Sequence, residues 1–267
     1  LVRRWQAQWG RSDAIALLEW NNQRADNYIR LNTLRSHSPE PEGEPVKFDW
    51  AKKSIRRLSP NSIPATLPGF VEGAFYIQDP GTLLAVDMLN PRPGEAVLDL
   101  CAAPGGKTTA IAACMKNDGR VVATDIREDR LKQLRENCER LGADCVEVMP
   151  LGTDVREKFD RVLVDVPCSN TGVMRRRVDL RWRLQPRDLQ ATTKVQREIL
   201  RQAARNVKPG GLLVYSSCSL EPEENEQMVK AFLERNRTFQ LEAERALLPW
   251  RDGVDGAYAA ALRLAPA

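Results

Sequence analysis

Apolar and polar positions follow two different patterns along this chain, and the change falls near residue 90. From residue 93 onward, short apolar runs typical of buried strands alternate with longer segments of helical periodicity. Strands are predicted over residues 96–100, 120–125, 145–149, 161–166 and 212–216, and helices over 107–115, 128–141, 189–207 and 223–234. A final antiparallel pair is predicted over 238–242 and 258–264. Because such alternation places helices on both faces of parallel strands, the pattern predicts an α/β fold with a doubly wound, mostly parallel sheet.

The first 90 residues have a different character. Aromatic and aliphatic residues between Trp5 and Trp20 predict short helices, and the alternation over 28–32 predicts a strand. Residues 36–45 contain three prolines and a glycine and predict a surface loop, while 49–58 predict a basic helix. We therefore predict a small α+β subdomain over residues 1–90 and a Rossmann-like domain over residues 91–267.

Composition narrows the class of protein. The 267 residues are 42% hydrophobic and 28% charged, which suits one large domain or a main domain with a smaller one. No apolar run approaches the length of a membrane span, and the first residues do not resemble a signal peptide. We therefore expect no membrane partner and a cytoplasmic location, and we expect the protein to be a monomer.

The charge is only mildly basic, at +4, but it is unevenly distributed. Arginines are concentrated over residues 175–187, and basic residues over 52–57. Such clusters suit the phosphate backbone of a nucleic acid, and they also occur on ordinary solvated faces.

The cysteines and the single histidine argue against a metal site. None of the six cysteines forms a Cys-x-x-Cys pair, and the histidine, His37, lies in a loop-like stretch, so no metal is expected. A disulfide framework is not expected in a chain of this length without secretion signals. Catalysis would then depend on carboxylates, lysine or thiols.

The turn after the first strand of the second part is a candidate ligand site. In Pro104-Gly105-Gly106 the glycines let the backbone approach a ligand, and the start of the following helix offers free N–H groups. Asp125 ends the next strand, nineteen positions after Gly106, where a carboxylate can bind the two hydroxyls of a ribose. Asp154 and Asp165 follow or end later strands on the same edge, although each alone is more often a loop cap.

Four interpretations of this turn compete. A P-loop is discounted because Cys101 occupies the position of the glycine required five residues before Gly106. A dinucleotide site would need Gly-x-Gly-x-x-Gly, which is absent. A purely structural turn is disfavoured by the position of Asp125. An S-adenosylmethionine site uses the same corner of the sheet without a pyrophosphate, so this cofactor is expected.

Two cysteines, Cys168 and Cys218, follow later strands on the same edge. A thiolate near arginines would have a lowered pKa and would be a better nucleophile, whereas Cys114 and Cys138 are expected to be inert packing. Methyl transfer to nitrogen or oxygen needs no thiol, but C5 of a pyrimidine becomes nucleophilic only after a thiolate attacks C6. The two thiols therefore indicate C5 methylation of a pyrimidine, and Asp165-Val-Pro-Cys168 points away from amino-group methylation.

In these motifs the chain resembles a known family, the bacterial RNA cytosine-5 methyltransferases, and most of all the Sun/Fmu (RsmB-like) type that acts on small-subunit ribosomal RNA. The motifs that carry the resemblance are Asn32-Thr-Leu34, Phe70-Val-Glu-Gly73 with Gln78-Asp79, Asp99 to Thr108, Asp165-Val-Pro-Cys168-Ser-Asn-Thr-Gly172, Tyr215 to Ser219, and Glu221-Pro-Glu-Glu-Asn225. The resemblance implies the class I S-adenosylmethionine-dependent methyltransferase fold and an RNA-recognition-like subdomain in the first ninety residues.

The resemblance also implies roles for individual residues. Cys218 would be the nucleophile on C6, Cys168 would assist elimination and product release, and Asp165 would contact the pyrimidine or the cofactor. The residues implied in the S-adenosylmethionine pocket are Cys101, Ala102, Ala103, Pro104, Gly105, Gly106, Lys107, Asp125, Arg130, Asp154 and Asp165. The target base must be unstacked to reach such a pocket, which favours single-stranded or loop RNA as the partner.

The resemblance does not fix the RNA target. Members of this type usually carry a helical RNA-binding domain upstream, and we expect no counterpart of it in the present sequence.

Two other hypotheses stay open at this point. The first is a methyltransferase for a protein or a small molecule, which would need no thiol. The second is a ribosome-assembly binder with a relic cofactor pocket, which would not need both thiols intact.

Overall fold

Two β-sheets organise the residues that the computed structural model describes, which are 1–35, 41–152 and 157–266. The first sheet is antiparallel, with strand order β2-β3-β1-β4. Its strands are β1 (Tyr28–Leu31), β2 (Glu44–Phe48), β3 (Ala51–Arg57) and β4 (Phe75–Ile77). Helix α1 (Val2–Asn22) precedes this sheet, and α2 (Leu84–Leu89) follows it.

The second sheet has seven strands in the order β10-β11-β9-β8-β5-β6-β7. Five neighbouring strands, from β9 to β7, pair in parallel, and β10 and β11 add an antiparallel edge. The strands are β5 (Ala96–Leu100), β6 (Arg120–Asp125), β7 (Val146–Pro150), β8 (Phe159–Asp165), β9 (Val207–Ser217), β10 (Phe239–Leu247) and β11 (Ala257–Leu264). The helices between them are α3 (Gly106–Met115), α4 (Glu128–Leu141), α5 (Leu180–Arg183), α6 (Pro186–Arg205), α7 (Glu226–Arg235) and α8 (Pro249–Asp252).

Hydrophobic cores lie on both faces of this sheet. Successive residues of a strand point to opposite faces, so Val97 packs in one core with Ile111 of α3 while Leu98 packs in the other with Leu200 of α6. The predicted doubly wound, mostly parallel α/β fold is therefore confirmed. The predicted closing antiparallel pair is also confirmed, since β10 pairs with β11.

Several elements lie where the pattern predicts them. Strands β5 and β6 and helix α4 have the predicted bounds, and the other elements of the second sheet are shifted or extended by a few residues. Gly10 has φ 83° and ψ 173°, which interrupts α1 and divides it into two short helices, as predicted. The predicted loop over 36–45 falls partly on residues 36–40, outside the described residues.

The predicted basic helix over 49–58 is wrong, because most of this segment forms strand β3. Ala51 and Ile55 are the buried residues of the strand. Their spacing of four positions fits one face of a helix and also one face of a strand, so the apolar pattern alone does not separate the two. Pairing with β1 and β2 selects the strand.

The boundary at residue 90 stays a prediction, since elements from both sides of it pack together. Trp5 and Leu17 of α1 share a core with Met174 and Leu220 from the second part. In the described part of the chain, no helix is both long and apolar enough to cross a membrane.

The connection from β7 to β8 carries the chain from one side of β5 to the other, which makes β5 and β8 the switch point of the sheet. Ligands of doubly wound sheets bind outside the carboxyl ends of the strands at such a point. The fold therefore places the candidate site after Leu100 and Asp165.

Candidate active site

A cavity of about 220 Å³ opens at the switch point. Seven predicted site residues line it, namely Cys101, Ala102, Ala103, Pro104, Gly106, Lys107 and Asp165. The opposite wall comes from the segment around β4, which contributes residues that sequence analysis gave no role: Tyr76, Ile77, Gln78, Asp79 and Thr82. Residues from both parts of the chain therefore form this cavity.

The backbone of the turn explains its two glycines. Gly105 has φ 104° at the N-terminus of α3, and a side chain there would meet Leu134 at 2.7 Å, so this glycine packs against α4. At Gly106 a Cβ atom would lie 2.9 Å from Cε1 of Tyr76, so the missing side chain lets β4 approach the turn. The first N–H groups of a helix have no acceptor within the helix, which leaves those of α3 available beside the cavity.

Asp99 lies next to the last residue of the buried strand β5 and has one carboxylate oxygen without a hydrogen-bond partner among the described residues. It is 0% exposed and lines the cavity. Its Oδ2 accepts a hydrogen bond from Thr108 Oγ1 at 2.7 Å, whereas Oδ1 has no hydrogen-bond partner among the described residues. Burial raises the pKa of Asp99 to about 7, which keeps this carboxyl partly protonated at neutral pH.

Asp125 and Arg130, which are also predicted to bind the cofactor, are not among the residues that line this cavity. Asp125 is buried, and its two oxygens accept backbone N–H groups of Ala103 and Arg127, each at 3.2 Å. Arg130 lies in the first turn of α4. Burial raises the pKa of Cys101 to about 12, and the charge of Arg130 opposes this rise only in small part. Asp154 lies outside the described residues.

Lys107, at the start of α3, and Asp165, at the end of β8, form an ion pair. Lys107 Nζ donates to Asp165 Oδ2 at 2.6 Å, and Ser216 Oγ donates to Asp165 Oδ1 at 2.6 Å. Burial lowers the pKa of Lys107, but the carboxylate of Asp165 outweighs it, so the pKa is raised and the amine stays charged. Both residues also line a second, smaller cavity, which contains Cys218 and Tyr258.

The two predicted cysteines are in contact. Cys168 Sγ lies 3.1 Å from Cys218 Sγ. The hydrogen bond with Cys218 and burial raise the pKa of Cys168 well above its ordinary value. The prediction that arginines lower the thiol pKa values is therefore wrong for Cys168, which is held as a thiol.

A buried carboxylate anchors the loop that carries Cys168. Glu224 is 0% exposed and accepts hydrogen bonds from the backbone N–H of Ser169 at 3.0 Å and from Gln196 Nε2 at 2.9 Å. The hydroxyl of Ser169 also donates to it at 2.5 Å. Sequence analysis gave Glu224 no role, although its motif, Glu221 to Asn225, follows Cys218 closely on the same edge of the sheet.

Two arginines of the cluster over 175–187 have structural partners. Arg175 and Arg176 form ion pairs with Asp255, and Arg176 also donates to Asp79 Oδ2 at 3.1 Å. The guanidinium of Arg175 stacks 4.0 Å from the ring of Trp20. These two arginines are therefore held by carboxylates, and the interpretation of this cluster as a phosphate-binding face does not apply to them.

Other basic residues of the two clusters are more exposed to solvent than Arg175. Arg181 donates to Asn22 Oδ1 at 2.8 Å and Arg183 pairs with Asp179 at 2.7 Å, both near the surface. In the second cluster, on β3, Arg57 pairs with Glu44 at 2.6 Å and Lys52 is exposed. Over the described ranges, no group of three or more histidine, cysteine or acidic side chains is placed to hold a metal ion.

Comparisons with known proteins agree on one family. A family model described as 16S rRNA methyltransferase RsmB/F matches residues 86–263. The chain is 43% identical to ribosomal RNA small subunit methyltransferase B of Vibrio cholerae, over 92% of this chain and 60% of the relative. The chain thus spans less than two thirds of the length of that curated relative.

Solved structures show the same fold. A methyltransferase homolog protein from Pyrococcus horikoshii superposes with a TM-score of 0.79 at 29% identity, over 96% of this chain and 92% of that one. NSun6 from Pyrococcus horikoshii, solved with SFG, superposes with a TM-score of 0.83 at 22% identity, over 100% of this chain and 98% of that one. At that identity the second likeness supports the fold alone.

Proposed function

Because the chain belongs to the RsmB/F family of 16S rRNA methyltransferases, we propose that it transfers a methyl group from S-adenosylmethionine to C5 of a cytosine in small-subunit ribosomal RNA. The observation that carries the proposal is the 3.1 Å contact between Cys168 and Cys218, because Cys218 lines a cavity that adjoins the turn between β5 and α3. Nitrogen and oxygen acceptors have lone pairs and need no thiol, whereas C5 of cytosine must be activated by a nucleophile on C6.

The cavity at the switch point suits the proposed cofactor. The free Oδ1 of buried Asp99 fits a hydrogen-bond donor such as the ammonium group of S-adenosylmethionine. Asp125 accepts two backbone hydrogen bonds and still has lone pairs for the hydroxyls of a ribose. We infer that the cofactor is held by Cys101 to Lys107 together with Asp125, Arg130, Asp154 and Asp165. When bound, S-adenosylmethionine supplies an electrophilic methyl group.

The cysteines perform the covalent steps. Cys218 gives its thiol proton to water and its sulfur bonds to C6, and the electrons of the C5–C6 double bond make C5 nucleophilic. Once C5 carries the methyl group, water takes the C5 proton, the C–H electrons restore the C5–C6 double bond, and the Sγ–C6 bond breaks with its electron pair returning to the sulfur of Cys218. The thiol of Cys168, 3.1 Å from the departing sulfur, assists this elimination by hydrogen bonding to the negative charge that returns to Cys218.

Asp165 and Lys107 orient the pyrimidine between the two cavities. Ser216 and Lys107 fix both oxygens of Asp165, so its carboxylate keeps one orientation. A carboxylate is complementary to the exocyclic amine of cytosine, and the cationic Lys107 offsets charge that develops on the ring after attack. These roles make Asp165 the third residue of the proposed catalytic set, with Cys218 and Cys168.

The proposed RNA is single-stranded or looped, because the base must leave its stack to reach Cys218. We propose that residues 1–90 form an RNA-recognition-like subdomain beside the catalytic domain of residues 91–267. Its strand β3 presents the exposed Lys52, and Tyr76 of β4 lines the cavity proposed for the cofactor. RNA on this sheet would therefore lie next to the reacting cavities.

The test is to incubate the purified protein with methyl-labelled S-adenosylmethionine and 16S rRNA, either free or in the small subunit, and to identify the labelled nucleoside after digestion. We expect label in 5-methylcytidine, at a single cytosine that bisulfite sequencing finds protected. Label in another nucleoside would contradict the C5 assignment. Label transferred to protein in an RNase-treated extract would favour a protein methyltransferase, and RNA binding without methyl transfer would favour an assembly factor.

A further inference from the structure

The sulfur of Cys218 has a second polar neighbour besides Cys168. Asn170 Oδ1 lies 3.2 Å from Cys218 Sγ, and the thiol donates to it. Asn170 Nδ2 donates to the backbone oxygen of Cys168 at 2.7 Å. Because only the NH₂ end of an amide can donate to a carbonyl, this second bond turns the oxygen of Asn170 toward Cys218.

The backbone at Asn170 does not require this side chain. Asn170 has φ 59° and ψ 26°, in the left-handed region that asparagine tolerates and glycine adopts freely. Glycine would therefore serve the turn equally well. The amide instead contacts both cysteine-bearing segments, whose sulfur atoms lie 3.1 Å apart.

We propose that Asn170 is a positioning residue for Cys218, whose thiol it holds in the protonated form beside Cys168 until RNA binds. A carbonyl oxygen only accepts hydrogen bonds, so it stabilises a thiol and gives no such bond to a thiolate. Before attack on C6, Cys218 must give up both its proton and this hydrogen bond. The inference rests on the proposed function, in which Cys218 is the nucleophile, and it adds a device that keeps this nucleophile unreactive in the enzyme without RNA.

Other groups also act on the ionisation of Cys218. The residues that line its cavity include one cation, Lys107, and three carboxyl groups, those of Asp79, Asp165 and Asp255. The titratable and charged groups that face Cys218 or its contacts are Lys107, Asp165, Asp79, Asp255, Tyr258 and Cys168, with Glu224 behind Cys168. A change at Asn170 alone leaves every one of them in place, so a shift in titration reports the amide.

The test compares wild-type protein with Asn170→Gly, which keeps the left-handed turn and removes the amide. The rate of Cys218 alkylation by iodoacetamide is followed against pH without RNA, by mass spectrometry of the peptide that contains Cys218. Since Asn170→Gly loses one hydrogen bond, we expect the midpoint of its alkylation rate against pH to lie about 0.5 to 1 pH unit below that of wild type. The alkylation rate at pH 7 should rise ~3- to 10-fold. The peptide of Cys114 serves as the internal control, with an unchanged profile.

A second variant, Asn170→Asp, covers the case in which the glycine variant does not fold. A carboxylate beside the sulfur disfavours the thiolate, so the midpoint should rise. A midpoint in Asn170→Gly that equals or exceeds the wild-type value would overturn the inference, as would a fall in Asn170→Asp. Because the alkylation uses no RNA, these outcomes are separate from failure of the methylation assay, which would overturn the proposed function instead.

Discussion

The sulfur of Cys168 lies 3.1 Å from the sulfur of Cys218, although fifty positions separate the two residues in the sequence. The contact is asymmetric, because the hydrogen bond with Cys218 and burial raise the pKa of Cys168 well above its ordinary value. Cys168 is therefore held as a thiol. The thiol of Cys218 donates to Asn170 Oδ1 at 3.2 Å, so the two cysteines in contact have different hydrogen-bond partners before any substrate arrives.

Replacing each cysteine by alanine should separate these tasks. Cys218→Ala removes the atom that bonds to C6, so methylation should fall by at least ~10³-fold while cofactor binding is retained. Cys168→Ala leaves attack possible and removes the group that assists elimination, so a protein–RNA adduct should survive a denaturing gel. Cys114→Ala, in α3 and packed against the core, is the matched control and should behave as wild type. Equal and mild losses from the two site variants would contradict the mechanism.

Glu224→Gln should loosen the loop that carries Cys168. An amide group has one acceptor oxygen where the carboxylate has two, so a buried donor from Ser169 or Gln196 loses its partner, at a cost of about 1–3 kcal/mol. We expect slower turnover and accumulation of the RNA adduct, with unchanged cofactor affinity measured by calorimetry.

The neighbouring Glu223 provides the control for that variant. It pairs with Arg4 at 2.8 Å at the surface, where an ion pair contributes ~0–1 kcal/mol. Glu223→Gln should therefore lower stability slightly and leave turnover unchanged. If the two variants lose turnover equally, the anchoring role of Glu224 is wrong.

Gly172→Ala should displace the loop of Cys218. A Cβ atom at this position would lie 2.7 Å from the oxygen of Gly256 and 2.8 Å from the oxygen of Cys218, and neither backbone can yield easily. We expect methylation to fall by more than about tenfold, since small misplacements of reacting groups are costly. Gly210→Ala is the control, because its cost comes from φ 74° in open space far from the sulfur atoms. The steric argument would be contradicted if, in both variants, methylation fell only in proportion to the loss of stability.

Local signals explain why some elements were predictable from the sequence. In α4, the residues Leu131, Leu134, Cys138 and Leu141 form one buried face, and Gly142 ends the helix in the left-handed region. Every one of these signals lies within the helix or next to it. The segment over 49–58 has no comparable local signals. Its strand β3 forms because it pairs with β1 and β2, which lie outside the segment.

Contacts between distant residues explain what the sequence could not provide. The strand order brings Cys168 and Cys218 to one edge, and this much follows from the alternation of elements. The partners of the Glu224 carboxylate, however, are 28 to 55 positions away, and the Cys218 sulfur that donates to Asn170 is 48 positions away. Arg175 likewise pairs with Asp255, 80 positions along the chain, and is buried although its neighbours Arg176 and Arg177 are exposed. Such pairings depend on the packed fold.

The buried carboxyl of Asp99 should make stability depend on pH in an unusual direction. In the unfolded chain it ionises near its ordinary pKa of 3.8, whereas burial raises its pKa to about 7 in the folded protein. Between these values the folded state binds more protons, so the free energy of unfolding should fall as pH rises, by at most ~1.4 kcal/mol per pH unit, and level off above about pH 7.

Asp99→Asn keeps an acceptor for Thr108 but cannot ionise. The free energy of unfolding of this variant, measured in urea without cofactor, should therefore increase relative to that of wild type from pH 5 to 7. In Asp160→Asn the difference from wild type should stay flat over this range. Burial raises the pKa of Asp160, but the hydrogen bonds from Lys208 and the backbone N–H of Ala96, together with the charge of Lys208, outweigh burial and lower the pKa. Parallel curves for Asp99→Asn and wild type would show that Asp99 is ionised in the folded protein throughout.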